Sequence, residues 1–255
     1  MRKHFSFISI LSFLILSFFF LSNAKASPID SFERGNGKIG VYSTIGEKSN
    51  LNGVVLDNGG NIRFDGYYSL GKKWAIGLRH KQIDVEKGIQ RTILGKTYGT
   101  TVDGNLKETD LLFLFNLLGA NNKKLPQVSM YFGAKRLEGT LNGKEISGSI
   151  TIGKKTYSGT ARIEPKHKVV VGPSIGFTMT YPVAKMTDVW ADLHFMHYIN
   201  GFEAGINQKI TNNIGIDASY FYDKYRYNDY HMTDKGFRLG LTFALNGKRK
   251  KNHNL

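Results

Sequence analysis

Cysteine is absent from this chain of 255 residues, which excludes disulfide staples, thiolate chemistry and a lipid-bearing N-terminal cysteine. Proline is scarce, at 5 residues. After residue 26 no apolar run is long enough to cross a bilayer as a helix. The nearest, "LLFLFNLLGA" at 111–120, is short and interrupted by Asn116. Helical periodicity is also missing, because apolar residues almost never recur three and four apart. Acids are the minority charge, 20 Asp and Glu against 35 Lys and Arg. No Gly-x-Ser-x-Gly turn, His-Glu-x-x-His pair or phosphate-cradling glycine loop is present, and no cofactor is expected.

What is present begins with a leader. "MRKH" is a basic start, residues 5–22 are apolar residues and serines, and "AKA" at 24–26 supplies small residues around a cleavage site. This layout predicts a signal peptide over 1–26, cut after Ala26, rather than a retained helix. Its removal takes Arg2, Lys3 and Lys25, so the net charge of +15 falls by three to +12. A basic exported chain favours anionic partners: lipid head groups, lipopolysaccharide or an extracellular glycan or protein. Nucleic acid is not expected outside the cytoplasm.

The mature chain alternates. In "NIRFDGYYSL" Ile62, Phe64, Tyr68 and Leu70 share one face, and Arg63, Asp65, Tyr67 and Ser69 the other. "WAIGLRHK", "GFEAGINQ", "IGIDASYFY" and "GFRLGLTFAL" repeat the pattern. Period two means β-strand. Ten strands are expected, near 38–45, 61–70, 74–85, 107–118, 128–138, 168–182, 189–199, 202–210, 214–224 and 235–245. The fourth is apolar on both faces, and Pro173 predicts a bulge or early end in the sixth. Connections alternate between short ("GKK", "TNN") and long (86–106, 139–167), with only Asn200-Gly201 tight on the long side. An even strand number with short turns on one rim predicts an all-β, antiparallel up-and-down transmembrane barrel over 27–245. About ten strands fit, within eight to twelve, followed by a basic tail over 246–255.

Alternation alone does not orient the barrel, since a soluble barrel hides its apolar face and a membrane barrel turns it to lipid. Two features favour lipid. Glycines crowd the polar face (Gly40, Gly77, Gly133, Gly172, Gly176, Gly205, Gly215, Gly240), as room beside long lumenal Arg and Lys requires. Aromatics gather at strand ends: Tyr67, Tyr68, Trp74, Tyr181, Trp190 and Phe243 toward one rim, Tyr198, Phe202, Tyr220, Tyr222 and Phe237 toward the other. The interior then receives Lys38, Arg63, Asp65, Arg79, Lys81, Lys135, Asp192, Glu203, Asp217 and Arg238. Both signs are present, so the expected state is a salt-bridged plug. A secreted soluble barrel binding a ligand is the alternative.

"RLGLTFAL" at 238–245 resembles the C-terminal assembly signal of bacterial outer-membrane β-barrel proteins, with Arg238, Gly240, Phe243 and Leu245 at its four defining places. The chain is similar to small adhesin-like and opacity-type barrels. That resemblance implies an outer-membrane location, delivery by the barrel-assembly machinery, and a structural or surface-binding role through the long loops. Here the signal is followed by "NGKRKKNHNL" instead of ending the chain. A narrow ion pore and an outer-membrane lipid or peptide hydrolase are the alternatives. For hydrolysis the candidates are Asp223, Asp229 and His231, while His194 and His197 fall on opposite faces of a strand. No catalytic or metal site is expected.

One repeat needs explaining. "TILGKTYGTT" at 92–101 returns as "TIGKKTYSGT" at 151–160 with six of ten positions identical, and "TLNGKEISGS" at 140–149 is a looser copy. Each reads as a hairpin tip. All lie in the long connections, which flank one barrel hairpin and can stand together. Recurrent turn chemistry alone also accounts for them.

Overall fold

The computed structural model describes residues 34–51, 54–119, 126–196, 198–227 and 230–245. The signal peptide with Ala26, the basic tail, His197 and Asp229 lie outside them. Twelve strands form: β1 (Gly37–Leu51), β2 (Val54–Ser69), β3 (Trp74–Ile93), β4 (Lys96–Leu118), β5 (Gln127–Leu141), β6 (Lys144–Ile152), β7 (Lys155–Ile163), β8 (Lys166–Ala184), β9 (Thr187–Met196), β10 (Ile199–Lys209), β11 (Ile214–Tyr227) and β12 (Tyr230–Leu245). Ten close into an antiparallel barrel, β1 pairing β12 with Gly37 opposite Leu245. β6 and β7 form a separate two-stranded sheet.

All ten expected barrel strands are present, and most run further than the apolar pattern indicates. The segment 86–106 is not a loop: β3 and β4 stay paired up to Ile93↔Lys96. Residues 139–167 likewise hold the ends of β5 and β8 and the β6–β7 hairpin. Thr, Gly, Ser and Lys alternate there without an apolar face to announce a strand, yet the ladder needs only backbone groups.

Sidedness is inverted relative to a soluble protein. Ile62 and Phe64 are 53% and 48% exposed, while Asp65 and Ser69, further along the same strand on its other face, are 5% and 0% exposed. Trp74, Ile76 and Leu78, Phe202 and Ile206, and Phe237, Leu241, Phe243 and Leu245 continue the outer apolar surface. On β12 it runs from Phe237 to Leu245, about the nine residues with which a tilted strand crosses hydrocarbon. The soluble-barrel alternative fails here, because that surface would face water around the whole circumference.

Four local expectations are corrected. β4 is sided after all, with Leu112, Leu114 and Asn116 buried inside and Leu111 and Phe113 outside. Pro173 neither bulges nor ends its strand; it pairs with Ala134 in an unshifted β5–β8 register. The last β8–β9 pair is Ser174↔Met196, so one edge of β8 asks no donor of Pro173. Asn200-Gly201 is not a turn, for both pair within β10, opposite Phe195 and His194. The inward glycines make room chiefly for tyrosine rings instead of long cations: a Cβ on Gly176 would strike Tyr131, and one on Gly40 or Gly240 would strike Tyr42.

Candidate functional site

Two regions hold side chains beyond what the fold needs: the lumen and the hairpins raised above the belt. In the lumen, Arg63 grips Asp65 through two bonds, 2.7 and 2.5 Å, and donates a third to Glu203. Arg238 donates to the same Glu203 at 2.6 Å, and the Ser219 hydroxyl donates to it at 2.7 Å, so one carboxylate gathers donors from β2, β11 and β12 onto β10. Arg79 forks onto Asp192 (2.7 and 3.3 Å), donates to the Tyr67 hydroxyl at 2.6 Å and lies over the Tyr131 ring. Lys81 reaches Asp234 at 2.7 Å and Asp223 at 3.1 Å, and Lys135 sits 3.1 Å from both Glu108 and Asp110. Asp217 accepts from Trp190 Nε1 at 2.9 Å and from Asn207. Lys38 is buried at the same end.

All ten residues expected inside are therefore buried or nearly so, and the structure joins most of them through ion pairs. The alternation missed others. His194 bridges Asp192 and Asp223 (3.2 and 2.9 Å), and its place two residues from Asp192 was the available signal. Glu108 and Asp110 were hidden by the apolar look of β4 and Asp234 by its position in a long connection, while Asp223, inside the expected strand 214–224, reads from the sequence as a rim acid instead of a lumenal one. With Asp188 and Lys209 added, nine acids (Asp65, Glu108, Asp110, Asp188, Asp192, Glu203, Asp217, Asp223, Asp234) face seven cations (Lys38, Arg63, Arg79, Lys81, Lys135, Lys209, Arg238). The lumen of a strongly basic protein is thus the place where its acids are gathered.

The described lumenal residues enclose cavities of about 20 and 40 Å³, room for one water and for a few. Arg63 and Arg79 line both and form the partition between them. Tyr67 and Trp190, expected in the lipid girdle, are buried lumenal groups serving Arg79 and Asp217. The hydrolase trio does not assemble: Asp223 is held inside by Lys81 and His194, whereas His231 is exposed on the rim. Of the four residues expected to form an assembly signal, Arg238 and Gly240 face the lumen and Phe243 and Leu245 face outward.

Above the belt, the repeated stretches fold alike. Thr92 meets Thr97 and Thr151 meets Thr156 across the two hairpins, Oγ1 to Oγ1 at 3.3 and 3.1 Å. Their turns differ: Leu94 and Gly95 both have positive φ (51° and 79°), whereas the second turn starts on Gly153 (64°). The hairpins then pack on each other. Ile93, Val102, Ile146 and Ile163 are buried together, flanked by Tyr98, Leu141 and Ala161. Gly148 and Gly159, directly paired, leave the hollows that Tyr98 and Ile93 fill. This is a small second core outside the belt, and it is why copies of one sequence stand side by side.

No known family model and no curated protein matches the chain. Among solved structures it is similar to Ail, the attachment invasion locus protein of Yersinia pestis, in complex with the heparin analogue sucrose octasulfate. Identity is 15%, coverage 83% of this chain and 99% of that one, and the TM-score 0.37. It is similar to the translocator domain of the autotransporter NalP from Neisseria meningitidis at 12% identity, 85% and 90% coverage and a TM-score of 0.46. For the outer membrane protease OmpT from Escherichia coli the values are 12%, 82% and 96%, and 0.44. The lipid-facing belt and closed polar lumen of the chain itself make it an integral β-barrel of the bacterial outer-membrane type.

Proposed function

We propose that the protein is a non-conducting surface platform whose raised hairpins bind a polyanionic extracellular partner, a sulfated or carboxylated glycan. Removal of the leader after Ala26 and insertion through the barrel-assembly machinery, using the 238–245 strand, are part of this reading. The observation that carries it is the combination of a separate hydrophobic core with a cationic surface. Residues 86–107 hold four Lys and Arg against two Asp and Glu, and residues 136–168 hold seven against three, an excess of six. Lys96, Lys144, Lys154, Lys155 and Arg162 are exposed, beside an exposed Tyr157. Rigid strands present these charges with little entropy left to lose on binding. The ion-paired lumen supports a plug in preference to a pore. We assign no hydrolytic role.

The test is retention of the folded protein on dextran sulfate against neutral dextran. Wild type should bind the sulfated polymer and release it as salt rises, and Lys154→Glu with Lys155→Glu should weaken retention roughly tenfold. Equal behaviour on neutral dextran sinks the reading.

A further inference from the structure

The β6–β7 sheet carries its apolar side chains on one face, and the β3–β4 hairpin covers only part of that face. Cross-strand pairing puts Ile146 with Ala161, Gly148 with Gly159, Ile150 with Tyr157 and Ile152 with Lys155 on it. Tyr98 and Ile93 fill the Gly148–Gly159 step, and Ile146 is buried in the shared core beside them. Beyond that step the cover ends, because β3 turns into β4 at Leu94-Gly95. β6 runs on for four more residues, to Ile152, about 13 Å at the rise of a strand. Its face there is open: Ile150 is half-buried, Tyr157 49% exposed and Ile152 65% exposed. Leu94, leaning toward Gly159, is 46% exposed. In the repeated stretches Ile152 and Tyr157 are the counterparts of Ile93 and Tyr98. One pair packs in the shared core and the other faces out.

Two observations say what this ledge meets. Leu94 keeps a positive φ of 51°, where a branched side chain is disfavoured and Asn or Gly would relieve the turn. An aliphatic residue held there, exposed, serves something outside the fold. The charge around the ledge is also of one sign. Lys96 pairs with Ile93, Lys155 pairs with Ile152, Lys154 lies in the second turn, and all three are exposed. No Asp or Glu occurs between Glu86 and Asp103, or between Glu145 and Glu164. A second copy of the chain would bring the same cations and be repelled. A polyanionic polymer answers the charges but leaves the aliphatic side chains in water. A bilayer with anionic head groups supplies both phases, acyl chains for the aliphatic groups and phosphates for the lysines, whose stems can lie along the apolar surface.

We propose that Leu94, Ile150, Ile152 and Tyr157 form a membrane-inserting tip that enters the anionic phospholipid bilayer of an opposing cell or vesicle, with Lys96, Lys154 and Lys155 on its phosphates. Ile152 lies 20 residues beyond Phe132, an outward ring of the belt on β5, which carries the tip well above the bilayer that the barrel spans. The tip shares the raised hairpins and their lysines with the glycan reading. Its aliphatic side chains have no part in that reading, so either proposal can fail alone.

The test uses the full mature chain in phosphatidylcholine nanodiscs, mixed with separate vesicles and followed by flotation against empty nanodiscs. The vesicles are phosphatidylcholine alone or phosphatidylcholine with a minority of phosphatidylglycerol. Wild type should float with the anionic vesicles and sink with the neutral ones. Leu94→Asn with Ile152→Thr suits the turn and the strand and changes no charge. It should lower flotation roughly tenfold or more, as the loss of two aliphatic side chains implies, yet keep retention on dextran sulfate. Ile152→Trp should be quenched by target vesicles with brominated acyl chains, since an inserted apolar face reaches about 5–10 Å below the head groups. Heat-modifiable gel mobility verifies that each variant is folded. Equal flotation with the two vesicle types, equal flotation of wild type and the Leu94/Ile152 variant, or an unquenched Ile152→Trp variant overturns the tip. Loss of dextran sulfate retention by the Leu94/Ile152 variant assigns these side chains to the glycan site and overturns it as well.

Discussion

The Tyr98 hydroxyl donates to the Ser149 carbonyl at 2.6 Å and accepts from the Ser149 N–H at 2.9 Å, 51 residues along the chain. One side chain thereby completes both backbone groups of a residue in β6, which has no second neighbour in its two-stranded sheet. Tyr98→Phe should cost about 1–2 kcal/mol for the two bonds. The expected readout is faster amide exchange over 144–163 with unchanged exchange in β9–β12.

Leu94 occupies a left-handed conformation that a branched side chain tolerates poorly, at a cost of about 1–2 kcal/mol. Leu94-Gly95 forms the two-residue turn in which Asn-Gly is favoured. Leu94→Asn should therefore slow amide exchange at residues 92–97, and faster exchange there would contradict the assigned turn.

Glu203 holds Arg63, Arg238 and Ser219 together. Glu203→Gln leaves two buried guanidiniums undercompensated, which should lower stability by about 3–5 kcal/mol in urea unfolding from vesicles. Because Arg63 lines both cavities, the same variant should show discrete channel openings in planar bilayers where wild type is silent.

Leu241 lies midway along the outward face of β12, between Phe237 and Leu245. Leu241→Arg should reduce stability in vesicles by about 2–4 kcal/mol, the cost of a cation near the bilayer midplane. A change of only a few tenths would mean that this face does not meet hydrocarbon.

At the upper ends of β5 and β8, a hydrogen bond from His167 (3.3 Å), and then the charge of Arg136, hold the Glu138 carboxyl below its ordinary range. Its folded value is depressed, so its stabilising contribution is present above the unfolded carboxylate range and fades as pH falls through the folded value. His167→Ala should move the Glu138 titration, followed by carboxyl NMR, upward.

Strand existence and sidedness were legible because alternation is local: Ile62-Arg63-Phe64-Asp65 states its two faces within four residues. The lumenal positions followed from the same rule, but only where an apolar partner face marked the strand. Glu108, Asp110 and Asp234 escaped because β4 is apolar on both faces and the upper ends of β3, β4 and β12 are polar on both. The misplaced Tyr67 and Trp190 show the converse, since being aromatic near a rim does not decide which way a ring points.

The amino-acid order by itself thus determined an alternating β-chain and the greasy outside of a closed cylinder, both consequences of period two and turn spacing. Only the tertiary structure decided which charges meet, that the lumen gathers the acids, and that the repeated hairpins share a core. Arg63 and Glu203 are 140 residues apart, and it is the closure and stagger of the barrel, invisible to any local pattern, that bring them together.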